Sequence, residues 1–315
     1  YLSKRICRIY PGFIVASVFC ALIALPIGGG VISGSSPISR DLHFIASVAR
    51  LREFTYTGSF PANPWPNAID KSMWSISYEF WCYIGVIVLG AFGLLRNRRV
   101  MVAILALSVL ASVFFIVTGL HTGDRLLGPI IGETRPWSRL MPMYLAGVVF
   151  YRFRNHLSLK RNWIIVAAIG FVVALLVPLG WQILFPFVGA YLILTVAYHP
   201  RIRMHHVGRF GDLSYGTYLY GFPIQQMIMY ASGNSLSVMR IFALSLPATL
   251  LCAFLSWHLV EKWYIQRARP AVPATPPKTE SPRPSVWEPR PASFARANSV
   301  LAMNEDVAVF RSIRR

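Results

Sequence analysis

Residues 73–95 read MWSISYEFWCYIGVIVLGAFGLL, and the run stops at Arg96, Arg98 and Arg99. As a helix rising about 1.5 Å per residue, it is long enough to cross a hydrocarbon core roughly 30 Å thick. Glu79 is its one carboxylate, placed about two turns, or roughly 9 Å, inside the outer end. A charged side chain at that depth is costly, so it must face a partner or a wet cavity rather than lipid. Two readings follow: a carboxylate pairing an arginine to hold two helices together, or one with a catalytic or substrate-contacting role.

Comparable apolar runs recur on both sides of this one. Before it lies a span from about Pro11 to Gly30, preceded by Lys4, Arg5 and Arg8, with Pro11 expected in the first helical turn. A long polar segment then runs to about Ser72, in which Phe44, Ile45, Val48, Leu51 and Phe54 predict a short amphipathic surface helix. After it come runs at about 100–120, a shorter one at about 140–151, then 163–179 and 183–198, broken at Pro178-Leu179-Gly180, and finally 213–230 and 238–260. The expected fold class is all-α, a polytopic transmembrane helix bundle of about eight spans. Every second boundary is basic, which puts those boundaries and Lys4, Arg5 and Arg8 on the cytoplasmic side. The opposite loops mix their basic residues with Asp41, Glu53, Asp70, Asp124 and Glu133.

Two domains are expected: a transmembrane domain over residues 1–264 and a Pro-rich, disordered cytoplasmic tail over 265–315. The chain opens at Tyr1 without a methionine and is read as a fragment lacking its N-terminus.

Composition agrees with a membrane location. Of the 315 residues 55% are hydrophobic and only 14% are charged, against roughly a quarter charged in soluble domains. The net charge of +19 raises the question of nucleic acid, but the basic residues sit in short loops between apolar runs and in the tail, so no nucleic-acid partner is expected. Cys7, Cys20, Cys82 and Cys252 are isolated, with neither disulfide nor metal spacing. His43, His121, His156, His199, His205, His206 and His258 also lack metal spacing, and no metal site is expected. There is no Gly-rich phosphate loop and no nucleophile elbow.

Other polar residues stand out beside Glu79. Arg5 and Arg8 lie on neighbouring helical turns, either gripping one polyanion together or marking the cytoplasmic side. Residues 213–226 pack hydroxyls, amides and two glycines, Gly216 and Gly221, into one span. That span either faces a cavity or packs closely through small residues.

Taken together, Lys4-Arg5-Ile6-Cys7-Arg8-Ile9-Tyr10-Pro11, then Trp74-Ser75-Ile76-Ser77-Tyr78-Glu79, then Leu213-Ser214-Tyr215-Gly216-Thr217-Tyr218-Leu219-Tyr220-Gly221-Phe222-Pro223 resemble the membrane-bound acyltransferase family 3 in order and separation. The resemblance covers about residues 1–264 and leaves the tail outside. It implies a membrane domain of about ten helices that takes an acyl group, commonly acetyl, from acyl-CoA at the cytoplasmic side. The acceptor it implies is a hydroxyl of an extracytoplasmic carbohydrate such as polysaccharide or lipopolysaccharide.

By the same likeness Arg5 and Arg8 match the family's paired arginines, expected to bind the phosphates of CoA, and Glu79 matches its Trp-Ser-x-x-x-Glu acid. Trp74, Tyr78 and Tyr218 are expected to contact the acceptor. The family's catalytic histidine belongs to its first helix, ahead of Tyr1, and many relatives have histidine where Gly221 stands, so Gly221 is given no catalytic role.

The partners implied are the lipid bilayer, acyl-CoA as donor substrate and a carbohydrate acceptor, with no tightly bound cofactor and with residence in the cell inner membrane. A competing class is a transporter or flippase for a lipid-linked sugar or small acid, which would show repeated halves and matched broken helices. A non-catalytic membrane sensor explains Glu79 least well.

Overall fold

The structure is a computed structural model, and it describes residues 1–120, 124–154, 160–198 and 211–267. The expected tail lies outside the described residues from 268 onward, as do His121, His156, His199, His205 and His206.

All eight apolar runs are helical. The first helix, α1 (Leu2–Ile27), begins well before Pro11 and includes a π-helical turn at Cys20–Ala24. Pro11 is therefore an interior residue, buried against neighbouring elements, and Arg5 and Arg8 belong to the helix rather than to a loop before it. A strand, β1 (Val31–Ile32), leads to α2 (Pro37–Ala49) and to β2 (Tyr56–Thr57). The strands pair antiparallel, Val31 opposite Thr57 and Ile32 opposite Tyr56.

Ser36 caps α2 by accepting from the Ser39 amide at 3.2 Å, and Pro37 occupies a first-turn position that needs no donor. The expected surface helix thus starts earlier and ends at Ala49. Leu51, at φ 54°, turns the chain so that Leu51 and Phe54 enter the core.

Next come α3 (Trp74–Ala91) and α4 (Arg98–Thr118), joined by a short turn through Leu94–Arg96. Asn97 caps α4 by accepting from the Arg99 amide at 3.0 Å, and Gly119, at φ 65°, stops it. A short helix, α5 (Asp124–Ile131), stands where the polar sequence predicts a loop and precedes α6 (Thr134–Arg152). The latter has 19 residues rather than the shorter span expected from about Leu140. Beyond it lie α7 (Arg161–Leu176), the single turn α8 (Gly180–Ile183), α9 (Phe185–Tyr198), α10 (Leu213–Ala231) and α11 (Val238–Arg267), the last with a π-helical turn at Trp257–Glu261.

Among the described residues four helices, α1, α3, α4 and α11, are long and apolar enough to cross a membrane. At 16 and 14 residues, α7 and α9 would reach only about 24 and 21 Å. The chain is a multi-pass, mostly helical membrane protein, with four such helices where the hydropathy pattern predicts about eight spans.

One core joins α1, the 28–72 segment, the start of α3 and α10, around Phe13, Phe60, Ile69, Met73, Ile76 and Leu219. The other joins α4 and α6 through Met101, Leu105, Val109, Leu145, Ala146 and Val149. Against the first, α10 and α11 approach closely because Gly216 faces Ala253; a Cβ at Gly216 would stand 2.8 Å from the Ala253 Cα. This fits the close-packing reading of that stretch of α10.

Candidate active site

Glu79 and Tyr83 are one turn apart on α3, so their side chains share a face. The Tyr83 hydroxyl donates to Glu79 Oε1. The carboxylate is exposed on the helix surface rather than enclosed in the core. Among the described residues it forms no ion pair, so the reading in which it locks an arginine across two helices finds no partner there.

Arg5 reaches the same place from α1. Its guanidinium carbon lies 4.7 Å from the Tyr83 ring centroid and 5.2 Å from that of Tyr1. The Tyr1 and Tyr83 rings meet edge to face at 6.3 Å. A guanidinium over an aromatic face is held by the ring quadrupole. Tyr83 is thus touched by Arg5 on its ring while its hydroxyl holds Glu79.

Arg8 goes elsewhere. About 60° around α1 from Arg5, its Nη2 lies 2.5 Å from Asp212 Oδ2, just ahead of α10. Asp212 also accepts from the Ser214 hydroxyl at 2.6 Å. Burial pushes the Asp212 carboxyl up, but the Ser214 hydrogen bond and the Arg8 charge outweigh it and hold the group below the usual carboxylate range. The Tyr215 hydroxyl, donating to the Ile9 carbonyl at 2.9 Å, ties α10 to the same turn of α1. The two arginines are therefore brought to one end of α1 with separate partners.

Trp74 and Tyr78 occupy the first turns of α3. Trp74 is half exposed, its ring 5.9 Å from Tyr78, which in turn lies 5.1 Å from Trp137 of α6. Tyr78 is buried, and its hydroxyl donates to the Glu133 carbonyl at 3.3 Å. Gly132 makes room for it, because a Cβ there would stand 2.6 Å from the Tyr78 hydroxyl oxygen. Tyr218 reaches over from α10; its hydroxyl donates to the Ser72 carbonyl and lies 2.6 Å from the Ser75 hydroxyl. All three expected acceptor-contacting residues thus surround the N-terminal end of α3. Tyr78 and Tyr218 also join it to α6 and α10.

Several functional-looking residues escaped the sequence reading. Asn63 donates to the Gln226 carbonyl at 2.9 Å and to its side-chain oxygen at 3.0 Å, while Gln226 donates to the carbonyls of Trp65 at 2.9 Å and Ala68 at 2.6 Å. Glu53 accepts from the Tyr56 hydroxyl at 2.8 Å and from the Asp70 amide at 3.0 Å. Asp70 accepts from the Ser72 amide at 2.8 Å, and its Oδ2 is buried with no hydrogen-bond partner. Burial pushes the Asp70 carboxyl up to about 7 against the Ser72 hydrogen bonds, and burial also raises Glu53.

Glu261, in the π-helical turn of α11, is 1% exposed and accepts from the Ser256 hydroxyl at 2.7 Å. A Cβ on Gly12 would stand 3.0 Å from its carboxyl carbon.

Among the described residues no group of three potential metal ligands comes together. His43 is exposed, and the His258 Nδ1 lies 3.0 Å from the Phe254 carbonyl. Gly221 faces Thr249 across the α10–α11 contact, 4.0 Å from where its Cβ would stand.

The profile of acyltransferase family 3, described as an acyltransferase domain, matches residues 1–258. An O-acetyl transferase of Shigella phage Sf6 is 26% identical over 292 residues, which cover 86% of this chain and 78% of that protein. No solved structure matches the chain.

Proposed function

Because this chain belongs to acyltransferase family 3 and is an acyltransferase, we propose that it carries an acyl group, most simply acetyl, from acyl-CoA in the cytoplasm to a hydroxyl of a carbohydrate on the far side of the inner membrane. The acceptor class is a surface polysaccharide or lipopolysaccharide. The observation that carries this reading is the contact chain from Arg5 through Tyr83 to Glu79, which joins the basic end of α1 to the acid within α3.

In the proposed reaction the acceptor oxygen attacks the thioester carbonyl, a C–O bond forms, the C–S bond breaks, and the acceptor proton ends on the CoA thiolate. Arg5 and Arg8 bind the donor phosphates through charge-assisted hydrogen bonds, Arg8 exchanging its contact with Asp212 for one with phosphate. A histidine general base of the kind the family likeness implies takes the acceptor proton. Glu79 orients that base or the acceptor hydroxyl. Trp74, half exposed at the outer end of α3, offers an aromatic face to the sugar, with Tyr78 and Tyr218 setting the shape around it. Among the described residues α1, α3, α4 and α11 would cross the bilayer, with the Arg5 end of α1 and the Arg96–Arg99 turn cytoplasmic.

The experiment is vectorial. Sealed membrane vesicles holding the intact protein receive labelled acetyl-CoA on the cytoplasmic face only, and label is sought in carbohydrate exposed on the other face. Labelled ester on the carbohydrate with release of free CoA supports the proposal. Movement of a lipid-linked sugar or small acid without acyl transfer would replace it with the transport reading.

A further inference from the structure

Tyr83 is the one side chain touching both Glu79 and Arg5 among the contacts described. Its hydroxyl donates to Glu79 Oε1, and its ring carries the Arg5 guanidinium at 4.7 Å. The hydrogen bond fixes one carboxylate oxygen and leaves Oε2 with no hydrogen bond among the described residues, free to accept from a substrate hydroxyl. The ring face holds a cation whose stem comes from a different helix, so Tyr83 sets the separation between that cation and the acid. An O–H donor on a carboxylate is a strong, directional contact, and a cation over a ring is a separate one. The two can therefore be removed one at a time.

Resting on the acyl-transfer reading above, we infer that Tyr83 is a positioning residue for that reaction: its hydroxyl holds the Glu79 carboxylate in its working orientation while its ring seats Arg5 for the acyl donor. No bond to Tyr83 is made or broken in the reaction. Its contribution lies in geometry, where a displacement of about 1 Å of a reacting or orienting group is enough to cost roughly a hundredfold in rate.

The test uses the intact protein in its membrane, with acetyl-CoA as donor and rates normalised to the amount inserted. Tyr83→Phe keeps the ring and removes the hydroxyl. It is expected to lower kcat by about tenfold to a hundredfold while the KM for acetyl-CoA stays within about twofold. Tyr83→Leu removes both contacts and is expected to add a rise of about tenfold in the donor KM. In a Glu79→Gln background, Tyr83→Phe should cost little further, because the two groups act as a unit.

A purely structural tyrosine would change the amount inserted and leave kcat per molecule and the KM split untouched, and that result would overturn the assignment. So would losses from Tyr83→Phe and Glu79→Gln that multiply in full. Where Glu79→Gln leaves no turnover, or Tyr83→Leu does not insert, the kcat of Tyr83→Phe decides alone. If the wild type transfers no acyl group, the acyl-transfer reading itself has failed; if the wild type transfers and Tyr83→Phe matches it, only the role of Tyr83 has.

Discussion

Around α1, the 28–72 segment, α10 and α11, the enclosed side chains include Asn63, Asp70, Gln226 and Glu261, whereas the core between α4 and α6 is Met101, Leu105, Val109, Leu145, Ala146 and Val149. The second region also turns large apolar residues outward, with Leu107, Leu110 and Phe114 of α4 all more than half exposed, as lipid-facing positions would be. Helices in lipid need little beyond apolar fit to stay together, while an enclosed amide or acid is costly unless its partners are fixed. Enclosed amides and acids therefore mark the half in which geometry is specified closely, and that is the half to which Arg5, Arg8, Glu79 and Tyr218 belong.

The largest stability effect that tests this contrast comes from Gln226. Its replacement by leucine strips the carbonyls of Trp65 and Ala68 of their side-chain donor and leaves the Asn63 amide only the main-chain carbonyl of residue 226, which should cost about 3 kcal/mol or more. The volume-conserving Leu105→Met in the apolar region should cost less than about 1.5 kcal/mol. Thermal unfolding of detergent-solubilised variants reads both, and equal losses would erase the distinction.

Second in size is a pH effect confined to the polar half. Asp70 has its carboxyl pushed up to about 7 by burial, above the roughly 3.9 of an unfolded chain. The folded state thus holds the proton more tightly, so its stabilising contribution is complete below pH ~4 and is lost as pH rises through about 7. Hydrogen exchange in the 53–72 segment, corrected for intrinsic rates, should show stronger protection at pH 5 than at pH 8, by about 2–3 kcal/mol. Asp70→Asn should flatten that dependence. A segment that grows more stable towards alkaline pH would contradict the assignment.

Smallest is the stability effect of Arg8→Ala. The ion pair with Asp212 is half exposed, with Arg8 at 47%, so its loss should cost less than about 1 kcal/mol. The same variant should raise the KM for acetyl-CoA severalfold. A large fall in unfolding temperature without a change in KM would make Arg8 a structural arginine only.

Hydropathy located the apolar helices among the described residues because an apolar run is a local property of sequence, although four of them rather than eight are long and apolar enough to cross a membrane. It was least accurate where tertiary contacts override local pattern. Arg135, Pro136, Ser138 and Arg139 look like loop, yet α6 begins at Thr134, with Pro136 in a first turn whose amides need no helical partner. Pro11 pointed to a helix start, yet α1 extends back to Leu2, where Tyr83 and Asp212 engage Arg5 and Arg8.

Of the site, Glu79, Arg5 and Arg8 were visible as charges at helical spacing, and the family motifs added Trp74, Tyr78 and Tyr218. The Asn63–Gln226 pair joins residues far apart in the chain, and no spacing rule predicts it. Asp70 resembled an ordinary loop acid, and Glu261, next to Lys262, resembled the polar end of a span. The divergence of Arg8 from Arg5 depends on Asp212, which carries no signal of its own beyond being an acid at a helix start.

Under the proposed function the Glu79 carboxylate, held by Tyr83 beside Arg5, works in acyl transfer rather than in folding. Its most direct test is acetyl transfer per inserted molecule in Glu79→Gln, with unfolding temperature measured on the same preparation. A loss of about a hundredfold or more in turnover at unchanged stability and abundance is expected; wild-type turnover at equal abundance would rule out a role for that carboxylate in the reaction.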